Sequence, residues 1–114
     1  MKVHYLEFVC SDVDAFCGLL GATLGLSFGD PVAELGNARV ALGKDGTRIG
    51  VRAPLAEHET PVMRAYFAVD DIKKAVSRAE ASGATIAYGP VHQGDTGTWA
   101  ICLMGNLQVG LWQQ

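Results

Sequence analysis

"EFVCSDVDAFCGLL" (7–20) and "YFAVDDIKKAVSRA" (66–79) are the two stretches whose comparison decides the fold. Set one under the other, Phe8 meets Phe67 and Asp12 meets Asp71. Val13, Phe16, Cys17 and Leu20 meet Ile72, Ala75, Val76 and Ala79. In each half these four residues fall at i, i+3, i+4 and i+7, the apolar stripe of a helix that packs on a sheet. Each stripe follows a residue able to cap a helix: Ser11 or Asp12 in the first half, Asp70 or Asp71 in the second.

The match extends outward in both directions. "GAT" follows both helices, at 21–23 and 83–85, and Gly21 and Gly83 are natural helix stops. "SFGDPV" (27–32) is matched by "AYGPV" (87–91). "ARVALGKDGTRIGV" (38–51) is matched by "WAICLMGNLQVGL" (99–111), which places Gly50 on Gly110. Each half then reads as strand, helix, strand, strand, strand. In the first half the elements are expected at 3–9, 12–21, 23–28, 37–43 and 47–53. In the second they are expected at 63–69, 71–82, 84–88, 97–103 and 107–113. "KDG" (44–46) and "GN" (105–106) are hairpin turn chemistry. The chain is thus one α+β domain of two tandem βαβββ modules, 1–53 and 63–114, joined by a linker at 54–62.

Composition bounds the partners. The chain has 114 residues, 49% hydrophobic and 18% charged, an ordinary globular balance for one domain. A formal net charge of -3 with no Lys/Arg cluster argues against nucleic acid and anionic membrane surfaces. No apolar run approaches the roughly 18 residues of a membrane span, and "MKVHYLEF" reads as a strand rather than a signal peptide. Cys10, Cys17 and Cys102 have no C-x-x-C spacing and read as small buried hydrophobes in a reducing cytoplasm.

The tandem βαβββ repeat resembles the vicinal oxygen chelate superfamily, which includes glyoxalase I, extradiol dioxygenases and bleomycin-resistance proteins. The residues that carry the resemblance are 5–21, 65–84 and "VGLWQ" at 109–113. It implies two modules forming a curled mixed sheet around one central, cup-shaped cavity, with one helix per module on the outside. Its metal-dependent members hold a divalent cation there, with one ligand from the first and one from the last strand of each module. In this chain the last-strand carboxylate positions are Gly50 and Gly110, and the first-strand positions are Tyr5 and Arg64. A divalent cation needs fixed N or O donors, and glycine offers none. His4 enters only if the register slips by one residue, which turns the whole strand over. The metal set is therefore expected to be absent, and His4 is expected to point toward the helix side or solvent. His58 lies in the charged linker, and His92 in a loop able to overhang the cup. The glycines are expected to leave room for a ligand's atoms, or for Arg52 and Trp112 to lean in.

Strand alternation sorts what lines the cup instead. Tyr5 and Glu7 share a face, as do Arg64 and Tyr66; the glycine faces carry Arg52 in one module, and Gln108 and Trp112 in the other. The expected ligand-binding set is Tyr5, Glu7, Arg52, Arg64, Tyr66, Gln108 and Trp112. Aromatics with a few convergent polar groups are the usual make-up of a small-molecule site. Glu7 is a mid-strand carboxylate that needs a partner if buried. It is either an ion pair with Arg52 or Arg64, or a ligand-binding or proton-transfer group. Arg39 and Trp99 are secondary candidates.

Two functional readings follow, and the sequence does not choose between them. The first is a metal-free, bleomycin-resistance-like protein that binds a small molecule in the cup and needs no cofactor. The second is an enzyme of the same superfamily, a glyoxalase-type lyase or isomerase or a dioxygenase, metal-dependent or using Glu7 as acid or base. The resemblance and the unpaired sheet edges imply a homodimer.

Overall fold

The computed structural model describes the whole chain, Met1–Gln114. Its elements are β1 (Val3–Val9), α1 (Val13–Leu24), β2 (Arg39–Leu42), β3 (Arg48–Arg52), β4 (Val62–Ala68), α2 (Ile72–Ala81), β5 (Thr85–His92), β6 (Thr98–Met104) and β7 (Leu107–Gln113). Single 3₁₀ turns occupy Ala33–Leu35 and Gly94–Thr96. The chain divides into two compact units, Tyr5–Met63 and Met1–His4 with Arg64–Gln114.

In the unit Tyr5–Met63, β3 lies between β2 and β1, antiparallel to the first and parallel to the second. Its interior is built from Val9, Cys17, Ala41, Ile49 and Val51, all buried. Phe8 on β1 meets Phe16 on α1 with ring centroids 4.9 Å apart, which ties helix to strand. Val9, Ile49 and Val51 each contribute about 1.5–3 kcal/mol by leaving water. Asp12 caps α1 by accepting from the Ala15 N–H at 3.1 Å.

The unit containing β4 repeats the scheme. Here β4 and β7 are parallel neighbours, and β6 pairs antiparallel with both β7 and β5. The Ala68 N–H donates to the Lys2 carbonyl at 2.9 Å, so the start of β1 belongs to this unit. Ile72, Val76 and Ala100 form its core with Val69, Ile86 and Leu111. Asp71 caps α2 through the Lys74 N–H, the counterpart of Asp12.

Two sequence expectations fail in the first module. Residues 23–28 form no strand, so the chain has seven strands rather than eight. Gly21 does not stop α1; the helix runs to Leu24 and ends on Gly25 in the left-handed conformation, φ 68°. Gly21 is needed for another reason. A Cβ there would stand 2.8 Å from the Leu26 carbonyl oxygen, where the chain folds back against the helix. The returning segment forms no strand; its backbone is held by two main-chain bonds, Leu26 N–H to the Gly21 carbonyl at 2.9 Å and Gly29 N–H to the Val40 carbonyl at 3.0 Å, and by one side chain. Arg39 donates through Nε to the Gly29 carbonyl at 2.9 Å and through Nη2 to the Phe28 carbonyl at 3.2 Å. Its Nη1 reaches Asp14 on α1 at 2.9 Å. Arg39 thus holds helix, loop and β2 together.

Candidate functional site

The parallel pairing makes the repeat concrete. Glu7 lies across from Gly50 on β3, and Tyr66 lies across from Gly110 on β7. One step along, Val9 faces Arg52 and Ala68 faces Trp112. Positions 7 and 66, 50 and 110, and 52 and 112 are therefore structural equivalents. The two modules fill them with different chemistry.

In the unit Tyr5–Met63 the equivalent pair is an ion pair. Arg52 Nε donates to Glu7 Oε2 at 2.9 Å, and both side chains are buried, 7% and 8% exposed. Arg52 does not stop at Glu7. Its Nη1 and Nη2 fork onto both oxygens of Glu59 at 2.8 Å each, and Nη1 also reaches the Ala53 carbonyl at 3.2 Å. Glu59 Oε1 in turn accepts the Leu55 N–H at 2.7 Å. The guanidinium's affinity for its proton is raised, first by the hydrogen bonds to Glu59 and then by Glu7, against the opposing effect of burial. A bidentate, charge-assisted fork of this kind is geometrically demanding. Arg52, one of the two partners the sequence offers for Glu7, is engaged with it, and the linker supplies a second carboxylate to Arg52 that alternation on the strands could not reveal.

Tyr5 occupies the remaining space on this face. It is 3% exposed, and its ring lies over Gly50. A Cβ on Gly50 would overlap the Tyr5 hydroxyl oxygen and Cζ, and would stand 2.9 Å from Cε1. In the other unit Gly110 is covered in the same way by Tyr66, 4% exposed. A Cβ on Gly110 would strike Tyr66 Cδ2 and stand 2.8 Å from the Ala65 carbonyl oxygen. The expectation of open room above the glycines, or of Arg52 and Trp112 leaning in, is corrected here: tyrosine rings take that room. A ring lying on a strand glycine restores the packing that the missing side chain forfeits. The glycines are required because the rings are there.

The unit containing β4 carries an aromatic face. Tyr66 stands edge-on to Trp112 at 5.5 Å and to Trp99 at 6.2 Å. Trp99 and Trp112, paired across β6 and β7, are near-parallel with centroids 6.5 Å apart. Tyr88 on β5 stacks on Trp99 at 5.3 Å, with the planes 10° apart. His4 is 7% exposed and its ring sits 5.3 Å from Trp112. It therefore points neither to the helix side nor to solvent, as expected from alternation, but packs on the same indole as Tyr66. Both indole N–H groups are taken within the unit: Trp99 Nε1 donates to Gln93 Oε1 at 2.6 Å, and Trp112 Nε1 to the Thr96 carbonyl at 2.7 Å. Along the same strands, buried Arg64 donates through Nε to Gln108 Oε1 at 2.8 Å. His92 pairs with Thr98 Oγ1 at 3.1 Å and is exposed, as is His58.

The donor set does not fit a divalent cation. The first- and last-strand positions carry a phenol over a glycine in one unit, and a guanidinium and a second covered glycine in the other. No group of three or more His, Cys, Asp or Glu side chains is assembled elsewhere. The cysteines are separate, and burial raises the pKa of each thiol, with Cys17 buried and Cys102 fully so.

No family model matches the chain, and no curated protein matches it. Solved structures do. A hypothetical protein of Bacillus halodurans C-125 superposes with a TM-score of 0.77 at 12% identity, over 99% of this chain and 94% of that one. Methylmalonyl-CoA epimerase of Mycobacterium tuberculosis gives 0.73 at 16% identity, over 97% and 86%. A Streptomyces coelicolor methylmalonyl-CoA epimerase in complex with 2-nitronate-propionyl-CoA gives 0.70 at 17% identity, over 100% and 97%. At such identities the likeness is one of fold, that of tandem βαβββ modules.

Proposed function

We propose that this chain binds a small organic molecule against the aromatic face around Tyr66, Trp99 and Trp112, and does so without a divalent metal. One observation carries the reading. Both positions at which a metal-dependent member would carry its carboxylate are glycines lying under tyrosine rings. A ligand-bearing side chain at either position would displace a buried ring, and the first-strand positions supply Tyr5 and Arg64. In place of metal donors the β4 unit packs aromatic rings, Tyr66 and Trp112 buried and Trp99 half-buried, with Arg64 and Gln108 alongside. Aromatic walls with few polar groups are how small-molecule sites are built. The CoA ligand named for the Streptomyces structure supports a small-molecule partner. On this reading Glu7 and Arg52 are scaffold, since Arg52 engages Glu7 and Glu59 together. Exposed Leu19, Leu24, Leu42 and Leu107 support pairing of two copies, and three unpaired thiols support a reducing cytoplasm.

The test is a thermal-shift screen over aromatic acids, 2-oxo acids and acyl-CoA thioesters. A ligand present at a hundred times its Kd stabilises by about 2.7 kcal/mol, which is several degrees for a chain of this size. The reading expects at least one such compound, with its effect lost in Trp99→Ala. A screen with no stabilising compound would sink it.

The epimerase structures favour a second reading, an enzyme that moves a proton on an acyl compound with Glu7 as acid or base. Under that reading Glu7→Gln abolishes turnover of a compound found in the screen. Under the first reading the same variant leaves ligand affinity unchanged.

A further inference from the structure

Tyr88 is the outermost ring of the aromatic face and lies outside the expected binding set. It is 58% exposed, yet it is held flat on Trp99, 10° from parallel. An exposed tyrosine on an edge strand ordinarily has no reason to adopt one orientation. Here the backbone enforces it. β5 shifts register against β6 on both sides of Tyr88, between Ile86 and Tyr88 and again between Tyr88 and Val91. Bulges of this kind re-aim a side chain and bend the strand. The next residue, Gly89, has φ 87°, and a Cβ there would stand 2.7 Å from the Trp99 carbonyl oxygen. Only glycine lets the edge strand come this close to β6 at Trp99. The two register shifts and the glycine together lay the Tyr88 ring on the indole.

The stack has polar edges that are already occupied. Trp99 Nε1 is bound to Gln93 and Trp112 Nε1 to the Thr96 carbonyl. What remains for a ligand is the π face of Tyr88 turned to solvent, backed by Trp99 and then Trp112. Such a platform selects by planarity and not by hydrogen bonding, because every flat ring has a π face to offer.

We propose that the outer face of Tyr88, backed by Trp99, is a stacking site for a planar aromatic or heteroaromatic ring. This inference rests on the small-molecule reading above and adds the ligand class and the residue that selects it. The probe is lumiflavin, a neutral, fluorescent, planar tricycle, titrated against wild type, Tyr88→Ala and Tyr88→Phe, with light scattering to follow the mass of each. The inference expects saturable quenching of flavin emission by wild type. It expects affinity to fall on the order of tenfold or more in Tyr88→Ala and to stay within about twofold in Tyr88→Phe, which keeps the ring. Tyr88 is exposed, so its truncation is not expected to unfold the chain; an unchanged melting temperature checks this. Equal affinity of Tyr88→Ala and wild type overturns the inference, and does so while compounds from the thermal-shift screen can still bind. Failure of wild type to bind lumiflavin also overturns it. A change of mass in Tyr88→Ala with no change in flavin affinity overturns it in favour of a contact between copies.

Discussion

Gly50→Ala is the smallest change that tests why the glycine is there. The added methyl would overlap the Tyr5 hydroxyl and Cζ and stand 2.9 Å from Cε1. Carbon atoms in good contact sit roughly 3.5–4.0 Å apart. The ring must therefore retreat by at least ~0.6 Å at Cε1 and further at its hydroxyl end. Tyr5 is 3% exposed and its ring is rigid, so the shift must pass into the neighbouring packing. Overpacking of this order costs about 1–3 kcal/mol, and the tight overlap places Gly50→Ala at the upper end. Alone, the substitution would otherwise be mildly favourable, because alanine loses less entropy than glycine in a strand. The assay is urea unfolding of four proteins: wild type, Gly50→Ala, Tyr5→Ala and the double variant. Tyr5→Ala should lose about 3–5 kcal/mol, as for other buried aromatics. Adding Gly50→Ala to Tyr5→Ala should then cost nothing further, giving a coupling of about 3 kcal/mol between the two positions. A Gly50→Ala midpoint equal to wild type, with the slope unchanged, would refute the reasoning.

Two further outcomes follow from the same geometry. Arg52→Ala should cost about 3–5 kcal/mol, because it breaks the buried pair with Glu7 and the fork on Glu59 together; Glu7→Gln should cost less, since Arg52 keeps its fork on Glu59. Urea midpoints of the two variants rank them, and a larger loss for Glu7→Gln would be inconsistent with the observed fork. The thiols carry a pH signature. Burial raises the pKa of Cys102, first through desolvation and then through Glu80. A folded pKa above the unfolded one means stability that is present below the ordinary thiol range, about 8.5, and is lost as pH climbs toward the folded value. The melting temperature should fall more steeply between pH 8 and 10 (on the order of those values) for wild type than for Cys102→Ala, and parallel curves would count against it.

Much of this structure was legible in the chain because the repeat aligns two copies of every element. Asp12 and Asp71 cap their helices as the alignment requires, and the seven strands fall at expected segments. The eighth does not form because α1 runs on to Leu24 and the chain then folds back to set the Leu26 carbonyl against Gly21. The glycine positions were located, but not what covers them, because the two modules use tyrosines from different registers, Tyr5 in one and Tyr66 in the other. Glu59 was hidden in a segment whose charges looked solvated. Tyr88 was hidden for a related reason: two register shifts break the alternation from which facing residues are read. His4 escaped the same rule, since both it and Tyr5 are buried. In each case the missing information is a packing contact that helix and strand periodicity does not encode.

The central claim is that tyrosine rings over Gly50 and Gly110 have replaced the metal centre of this fold. It is tested most directly by the metal content of the purified protein, measured after incubation with Ni, Zn, Fe and Mn and exhaustive dialysis. The account predicts far less than one equivalent of any of them. One retained equivalent of metal in wild type, lost in His4→Ala, would contradict it.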